Sequence, residues 1–580
     1  MKIQTREISE SVVNKLEQQG LEPALARLYA ARGIQDISEV TYDLNKLLPA
    51  SSLTNCLEAG EYLADHVEQG TSMIIVADYD CDGATACAIG LRALNAYGAN
   101  ISFLVPDRLV HGYGLTSTIV DLVAAHPERP SLIITVDNGI ASFEGIAHAK
   151  SLGIDVLVTD HHLPADQTPD AALIVNPNQR GCQFQSKSLA GCGVIYYVMK
   201  AMEDSLLRRG ISPFDPDFNV DSLLPIVALG TIADVVGLDY NNRVLVHAGL
   251  QMIRTGQCQA GIIALAEVSK VELPKLTTTN IAFGLGPRIN AAGRLQSMEL
   301  GIECLTTDSI DRARTLAGEL HQINEERKAV EKKTVEEAAD QLVSKLNSKT
   351  YTLVLHEQEW HEGVIGIAAG RIKEKMYRPT FVMTTNEAGD LKGSGRSIPG
   401  FHLRDALDLV SKKDPTVLLK FGGHAMAAGV TVAKGKLDRF RALFEEVGRE
   451  LMNADVLEQI VLVDAGLPVS SLSVSAVNLL KAEVWGQGFS EPIFSDDFEV
   501  EEFQKMGKEN EHSRLTLKKE GYLFNGVKFR HEDTALHKSI SAVYKIDVNT
   551  FRNQSNVQFL IEHIFANPDS AAVVAKQRAY

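Results

Sequence analysis

The stretch IIVADYDCDG, residues 74–83, leaves an apolar run and enters Asp78, Asp80 and Asp82. Carboxylates at alternating positions repel one another, by about 4 kcal/mol for a pair 4 Å apart near a protein surface. Either a cation belongs among them or the segment must splay into water. Groups of the same kind follow other apolar runs: Asp137 in VDNG, Asp160, His161 and His162 in TDHH, and Asp234 in ALGTIADVVG. Oxygen ligands with one or two imidazoles suit Mn²⁺ or Mg²⁺ better than zinc, which favours more nitrogen and sulfur. Many carboxylates and few histidines also suit two ions, with one carboxylate bridging across ~4 Å and a shared water made acidic.

Each piece has an ordinary reading as well. A lone aspartate after a strand is most often a cap or turn residue, and a histidine pair is usually structural. The joint occurrence of four acidic motifs, all expected at strand ends of one sheet, is what points to metal. The calcium-loop spacing fails because residue 89 is isoleucine, and HEQEWH places its second histidine one position too late for a zincin helix. No G-x-x-x-x-G-K-[ST] occurs, so no NTPase motor is expected.

The elements that must position these groups alternate between strand and helix. SMIIVAD, ISFLVP, SLIITVDNG, IDVLVTDHH and AALIVNP read as strands, with helical patterns such as ATACAIGLRALNAYG and TSTIVDLVAAH between them. Runs apolar on both faces with helical crossovers predict a parallel, doubly wound α/β sheet. In such sheets ligands sit beyond the carboxyl ends of the strands, at the switch point. Residues 308–346 form a long charged stretch with one glycine, Gly318, and no proline. Its apolar spacing is too irregular for sustained heptads, and a helix bridging two lobes is expected. A second α/β unit follows from TYTLVLHEQEW to about residue 450. Beyond it, FEVEEFQKMG, HSRLTLKKEG and YLFNGVKFR read as short strands of a small β-barrel. The expected division is an N-terminal helical segment (1–48), a first α/β domain (49–300), a connecting helix (301–347), a second α/β domain (348–453) and a barrel (454–580).

With 580 residues and 45% apolar content, several cores are within reach. Seven cysteines in odd number suggest no disulfide framework, and Cys182 and Cys192 read as plain small residues. The N-terminus lacks an apolar leader and no apolar run approaches 18 residues, so a cytoplasmic protein without membrane contact is expected. The net charge of −17 alone argues against nucleic acid. Its distribution argues otherwise. Residues 361–429 hold ten Lys/Arg against seven Asp/Glu, and 513–530 hold five against one.

DYDCDG, VDNG, TDHH and GTIADVVGL resemble the four motifs of the DHH phosphoesterase superfamily. PDRLVHGYG, GPRINAAGRL, WHEGVIGIAAGRI, GSGRSIPGFHLRDAL and FGGHAMAAG are similar to those of its bacterial single-stranded-DNA exonucleases, and the likeness runs from about residue 50 to the end. The resemblance implies a DHH domain, a DHH-associated domain and a C-terminal OB-fold. It implies that Asp82, Asp137, His161 and Asp234 hold one divalent ion, and that Asp78 and Asp80 with bridging Asp137 hold the other. Some members outside the exonucleases carry a histidine where this chain has Val76, which leaves the shell of that first-motif ion open. Asp160 would orient a histidine, and His162 would face the scissile phosphate as electrophile or general acid. Ser394 and Arg396 in GSGRS, with Arg108 and Arg288 rather than Arg294, would grip a 5′-terminal phosphate. His424 would line the nucleic-acid side of the cleft, or be a packed structural histidine. In the barrel, Arg514, Lys518, Lys519, Lys528 and Arg530 would track phosphates, whereas most of Tyr522, Phe524 and Phe529 are expected in the core.

These readings converge on a monomeric 5′→3′ exonuclease of single-stranded DNA that uses two Mn²⁺ or Mg²⁺ ions and releases mononucleotides in DNA repair and recombination. A single-strand-binding protein and a RecQ-type helicase are partners implied by the family alone. The rivals are a phosphodiesterase of short oligonucleotides or cyclic dinucleotides, a pyrophosphatase, and a non-catalytic DNA-binding scaffold.

Overall fold

The computed structural model describes residues 1–107, 111–343, 350–507, 509–531, 533–552, 554–566 and 572–574. The chain divides into two compact units. One comprises Gln4–Gly293, Ser297–Gly318 and Leu462–Tyr580; the other comprises Met1–Ile3, Arg294–Gln296 and Glu319–Val461.

The first unit is built on a five-stranded sheet in the order Ile101–Leu104, Met73–Ala77, Leu132–Val136, Asp155–Thr159 and Leu173–Val175. Every pair is parallel. Met73–Ala77 and Leu132–Val136 are buried at every position, because helices cover both faces. The chain leaves Met73–Ala77 for the edge strand on one side and then returns to Leu132–Val136 on the other. The switch point therefore lies between these two neighbours, the crevice in which such sheets bind ligands.

Asp234 does not end a strand. The run preceding it forms the helix Leu224–Ala233, apolar all round and buried, with Asp234 as its C-cap. A short, uniformly apolar run cannot be told from a buried strand by periodicity, and here helix packing wins.

The same unit carries a closed five-stranded barrel, ordered Phe494–Met506, His512–Lys519, Tyr522–Lys528, Gln554–Ala566 and Ser539–Phe551. All its pairs are antiparallel except the parallel one between Tyr522–Lys528 and Gln554–Ala566. The N-terminal segment packs here as well. Arg32 bonds both oxygens of Asp464 at 3.0 and 2.9 Å, and Tyr29 rests on Trp485 and Phe489.

The second unit has a mixed sheet ordered Leu418–Gly423, Ala427–Val432, Leu391–Arg396, Thr380–Thr385 and Leu353–His356. Only its last pair is parallel. The predicted long helix is Ile310–Val343, and the expected residues 344–346 lie outside the described ones. Among the described residues no helix is long and apolar enough to cross a membrane, and the seven cysteines are free thiols.

Candidate active site

The carboxyl end of Met73–Ala77 passes directly into Asp78 and then into the helix Cys81–Ala96, which Asp80 caps by accepting from the Gly83 amide at 3.0 Å. Asp82 sits in the first turn of that helix. Its carboxylate is held by a second helix start, because Gly191 and Cys192 donate their backbone N–H groups to it at 2.6 and 2.9 Å. Asp137, just past the neighbouring strand, takes a left-handed backbone with φ +61°. A non-glycine residue there stores roughly 1–3 kcal/mol. Asn138 ties the two strand ends together through the Val76 and Val136 carbonyls.

Three donor groups result, each with its ligand atoms within 4.8 Å of one another: Asp78, Asp80 and Asp137; Asp82, His161 and Asp234; and Asp137, His161 and His162. Asp137 belongs to two of them. His161 Nε2 stands 3.1 Å from Asp137 Oδ1, 3.6 Å from Asp234 Oδ2 and 3.9 Å from Asp82 Oδ2. Asp137 Oδ1 and His161 Nε2 are both buried with no hydrogen-bond partner. Two orphaned lone-pair donors facing each other are what a bound cation would satisfy.

The electrostatics agree. Burial, reinforced by mutual repulsion, pushes the Asp78, Asp137 and Asp234 carboxyls well above the ordinary range, and burial lifts Asp82 as well. Burial also lowers His161, leaving a neutral imidazole able to ligate. Asp160 and His162 behave oppositely. Burial works against both charged forms, but their hydrogen bond and attraction outweigh it, so Asp160 falls below its usual value and His162 rises to about 9.

Both Asp160 oxygens are engaged by the protein itself. Oδ1 accepts from the His161 amide, the His162 amide and His162 Nδ1 at 2.7, 3.0 and 2.7 Å, while Oδ2 accepts from the Ile140 amide at 2.9 Å. His162 keeps Nε2 outward, 3.4 Å from the Tyr113 hydroxyl. Asn176 and Asn178 hold the His162 and His161 carbonyls.

In the second unit, burial alternates along Leu391–Arg396. Gly395 faces the core, where a Cβ would land 2.5 Å from Phe381, and Ser394 and Arg396 face the first turn of the helix Glu362–Met376. A Cβ on Gly366 there would lie 3.1 Å from Arg396 Nη2 and 3.4 Å from Ser394 Oγ. Arg294 Nη1 donates to the Gly363 carbonyl at 3.2 Å. Arg288, by contrast, is buried and gives its terminal nitrogens to the Gly284 and Val268 carbonyls at 2.7 and 3.2 Å. His424 lies exposed in the turn between two strands, with its amide on the Ala427 carbonyl. Arg108 lies outside the described residues.

Two barrel expectations change. Lys519 is buried and gives its ammonium to Asp496 and the Leu467 carbonyl, both at 2.7 Å, so it cannot track phosphates. Phe524 does stack on Phe559 inside, but Tyr522 and Phe529 are exposed, because they stand at strand ends where the inward–outward alternation no longer binds them.

The residue composition missed the supports. The amides of Gly191 and Cys192, the Asn138 staple and Asn290, which accepts from the Cys81 amide, carry no chemical signature of their own. Only the fold reveals them. Tyr113, inside the motif PDRLVHGYG, gains its place beside His162 from the fold alone.

Comparison with known proteins fits this geometry. Residues 72–231 match the DHH family, N-terminal domain; residues 349–450 the DHHA1 domain; and residues 463–563 the RecJ OB domain. The chain is 42% identical to the single-stranded-DNA-specific exonuclease RecJ of Salmonella typhimurium, over 94% of its own length and 96% of that protein. The chain belongs to the RecJ family. Its identity with the RecJ of Escherichia coli is 41%, over 97% of this chain and 99% of that one. Among solved structures, RecJ from Thermus thermophilus in complex with Mn²⁺ matches 98% of this RecJ-family chain and 80% of its own, with a TM-score of 0.81 at 27% identity.

Proposed function

We propose that the chain is a 5′→3′ exonuclease of single-stranded DNA, dependent on two Mn²⁺ or Mg²⁺ ions and releasing mononucleotides. The observation that carries this reading is the sharing of Asp137 between two donor groups. Asp78, Asp80 and Asp137 would hold one ion, and Asp82, Asp137, His161 and Asp234 the other. Bound there, the ions would polarise the scissile phosphate and acidify a water.

The chain's own groups supply the rest. Asp160 fixes His162 by accepting from Nδ1, and the charged imidazole turns Nε2–H toward the phosphate or its leaving oxygen. Ser394 and Arg396, beside the amino end of the helix Glu362–Met376, supply donors and positive potential for a terminal phosphate. Arg108 and His424 belong to this grip by family likeness. Arg288 is proposed for the same grip on family likeness; its terminal nitrogens serve the Gly284 and Val268 carbonyls, as Arg294 Nη1 serves that of Gly363. Repair and recombination, a cytoplasmic setting, a monomeric state, a single-strand-binding protein and a RecQ-type helicase remain parts of the same proposal, on family likeness.

The test is digestion of one oligonucleotide labelled at its 5′ or 3′ end, single-stranded or paired, with Mn²⁺ or with chelator. The expected result is mononucleotides released from the 5′ end of the single strand and none with chelator. Release from the 3′ end, or preferred hydrolysis of a dinucleotide or pyrophosphate, would overturn the reading.

A further inference from the structure

The residue after the metal-facing Asp234 is Val235, and it is held at φ +64° with 62% of its surface exposed. A β-branched side chain rarely occupies the left-handed region, and such strain persists where surrounding structure enforces it for use. Phe283 is 78% exposed on the π-helical turn Ile281–Leu285, another feature frequent at functional sites. Both line a cavity of about 260 Å³. Ile232 and buried Trp485 contribute apolar wall, Thr279 and Gln487 contribute polar groups, and the one carboxylate among the described lining residues, Glu491, is paired with Lys545 at 2.8 Å.

We propose that this cavity is a shelf on which a nucleobase beside the scissile phosphate stacks. The idea rests on the proposed exonuclease function. The same backbone that presents Asp234 continues into Val235, so the cavity is one residue, about 3.8 Å of chain, from a metal-facing group. Its volume lies below the ~300–1,000 Å³ of drug-sized ligand sites, which suits one base rather than a peptide or a paired stem. An aromatic face and a branched aliphatic chain suit the uncharged π-surface common to all bases, and a hydroxyl and an amide suit a base edge. Nothing in this set selects one base over another, as digestion of arbitrary sequence requires.

The test compares Phe283→Ala, Val235→Gly and Phe283→Tyr with the wild type on 5′-phosphorylated single strands, in Mn²⁺, carrying either normal bases or abasic residues near the 5′ end. Phe283→Ala and Val235→Gly should each raise KM about 10-fold on normal strands and leave KM unchanged on abasic ones. Phe283→Tyr should keep wild-type KM. Val235→Gly should melt no lower than the wild type, because glycine relieves the left-handed strain. Wild-type KM in both truncated variants, equal losses on abasic strands, or a lowered Tm in Val235→Gly would each overturn the shelf while leaving the exonuclease reading in place. A wild type that digests no single-stranded DNA would remove that reading, and the shelf with it.

Discussion

Asp137 bears two costs at once, a left-handed backbone and a carboxyl buried among other carboxyls. Neither helps the fold without a cation. Asp137→Asn should therefore cut Mn²⁺-supported hydrolysis by at least about 10³-fold, several kcal/mol of lost charge stabilisation. In chelator it should melt no lower than the wild type, because one source of like-charge repulsion is gone. Differential scanning fluorimetry with and without Mn²⁺ checks the second half. The wild type should gain several degrees of Tm from the ion by mass action, and the variant should lose that gain. The acidic and histidine groups that the fold brings together were legible from type and spacing, Asp137 among them, whereas Tyr113, Asn138 and Asn290 were not. Asp234 was legible as an acid but not as a helix cap, since the apolar run before it has no period to read.

Helix starts, together with asparagine side chains, aim the site. The helix Gly191–Arg208 brings two amides onto Asp82, and its first residue must be glycine, because a Cβ there would fall 2.7 Å from Asp137 Cβ. Gly191→Ala should weaken Mn²⁺ binding by about 10–100-fold, the usual cost of disturbing groups that orient metal ligands, with circular dichroism unchanged. Arg396→Ala tests the other helix start. It should slow digestion of 5′-phosphorylated ends far more than of 5′-hydroxyl ends, and equal slowing would remove the arginine from the phosphate grip. Strands and crossovers were legible because period-two and all-apolar runs alternate with helical ones. The supporting amides were not, since a backbone N–H has no letter in the sequence.

Across the whole chain, an acidic protein with net charge −17 is expected to handle a polyanion. Buried carboxylates account for part of that charge, and bound divalent ions would neutralise it locally. Within the second unit, the long helix is fixed to its surroundings by Glu331, which accepts from Arg327 and Arg371. Glu331→Ala should cost about 3 kcal/mol by leaving Arg327 buried without its carboxylate, read as a lower urea midpoint for the second unit. The order of domains was legible from compositional shifts and from motifs spread along the chain. The pairing of the N-terminal segment with the region before the barrel was not, because Arg32 and Asp464 lie 432 residues apart and neither carries a local signal.

That pairing has a consequence for synthesis. Leu238, four residues beyond Asp234, gives its amide to the Gln487 carbonyl, and Arg32 waits for Asp464. A ribosome that has translated all of the proposed metal ligands has yet to make Gln487 and Asp464. At ordinary elongation rates of ~5–20 residues per second, the nascent polypeptide spends tens of seconds with its acidic cluster encoded but unsupported. Both contacts therefore form only after Gln487 has emerged.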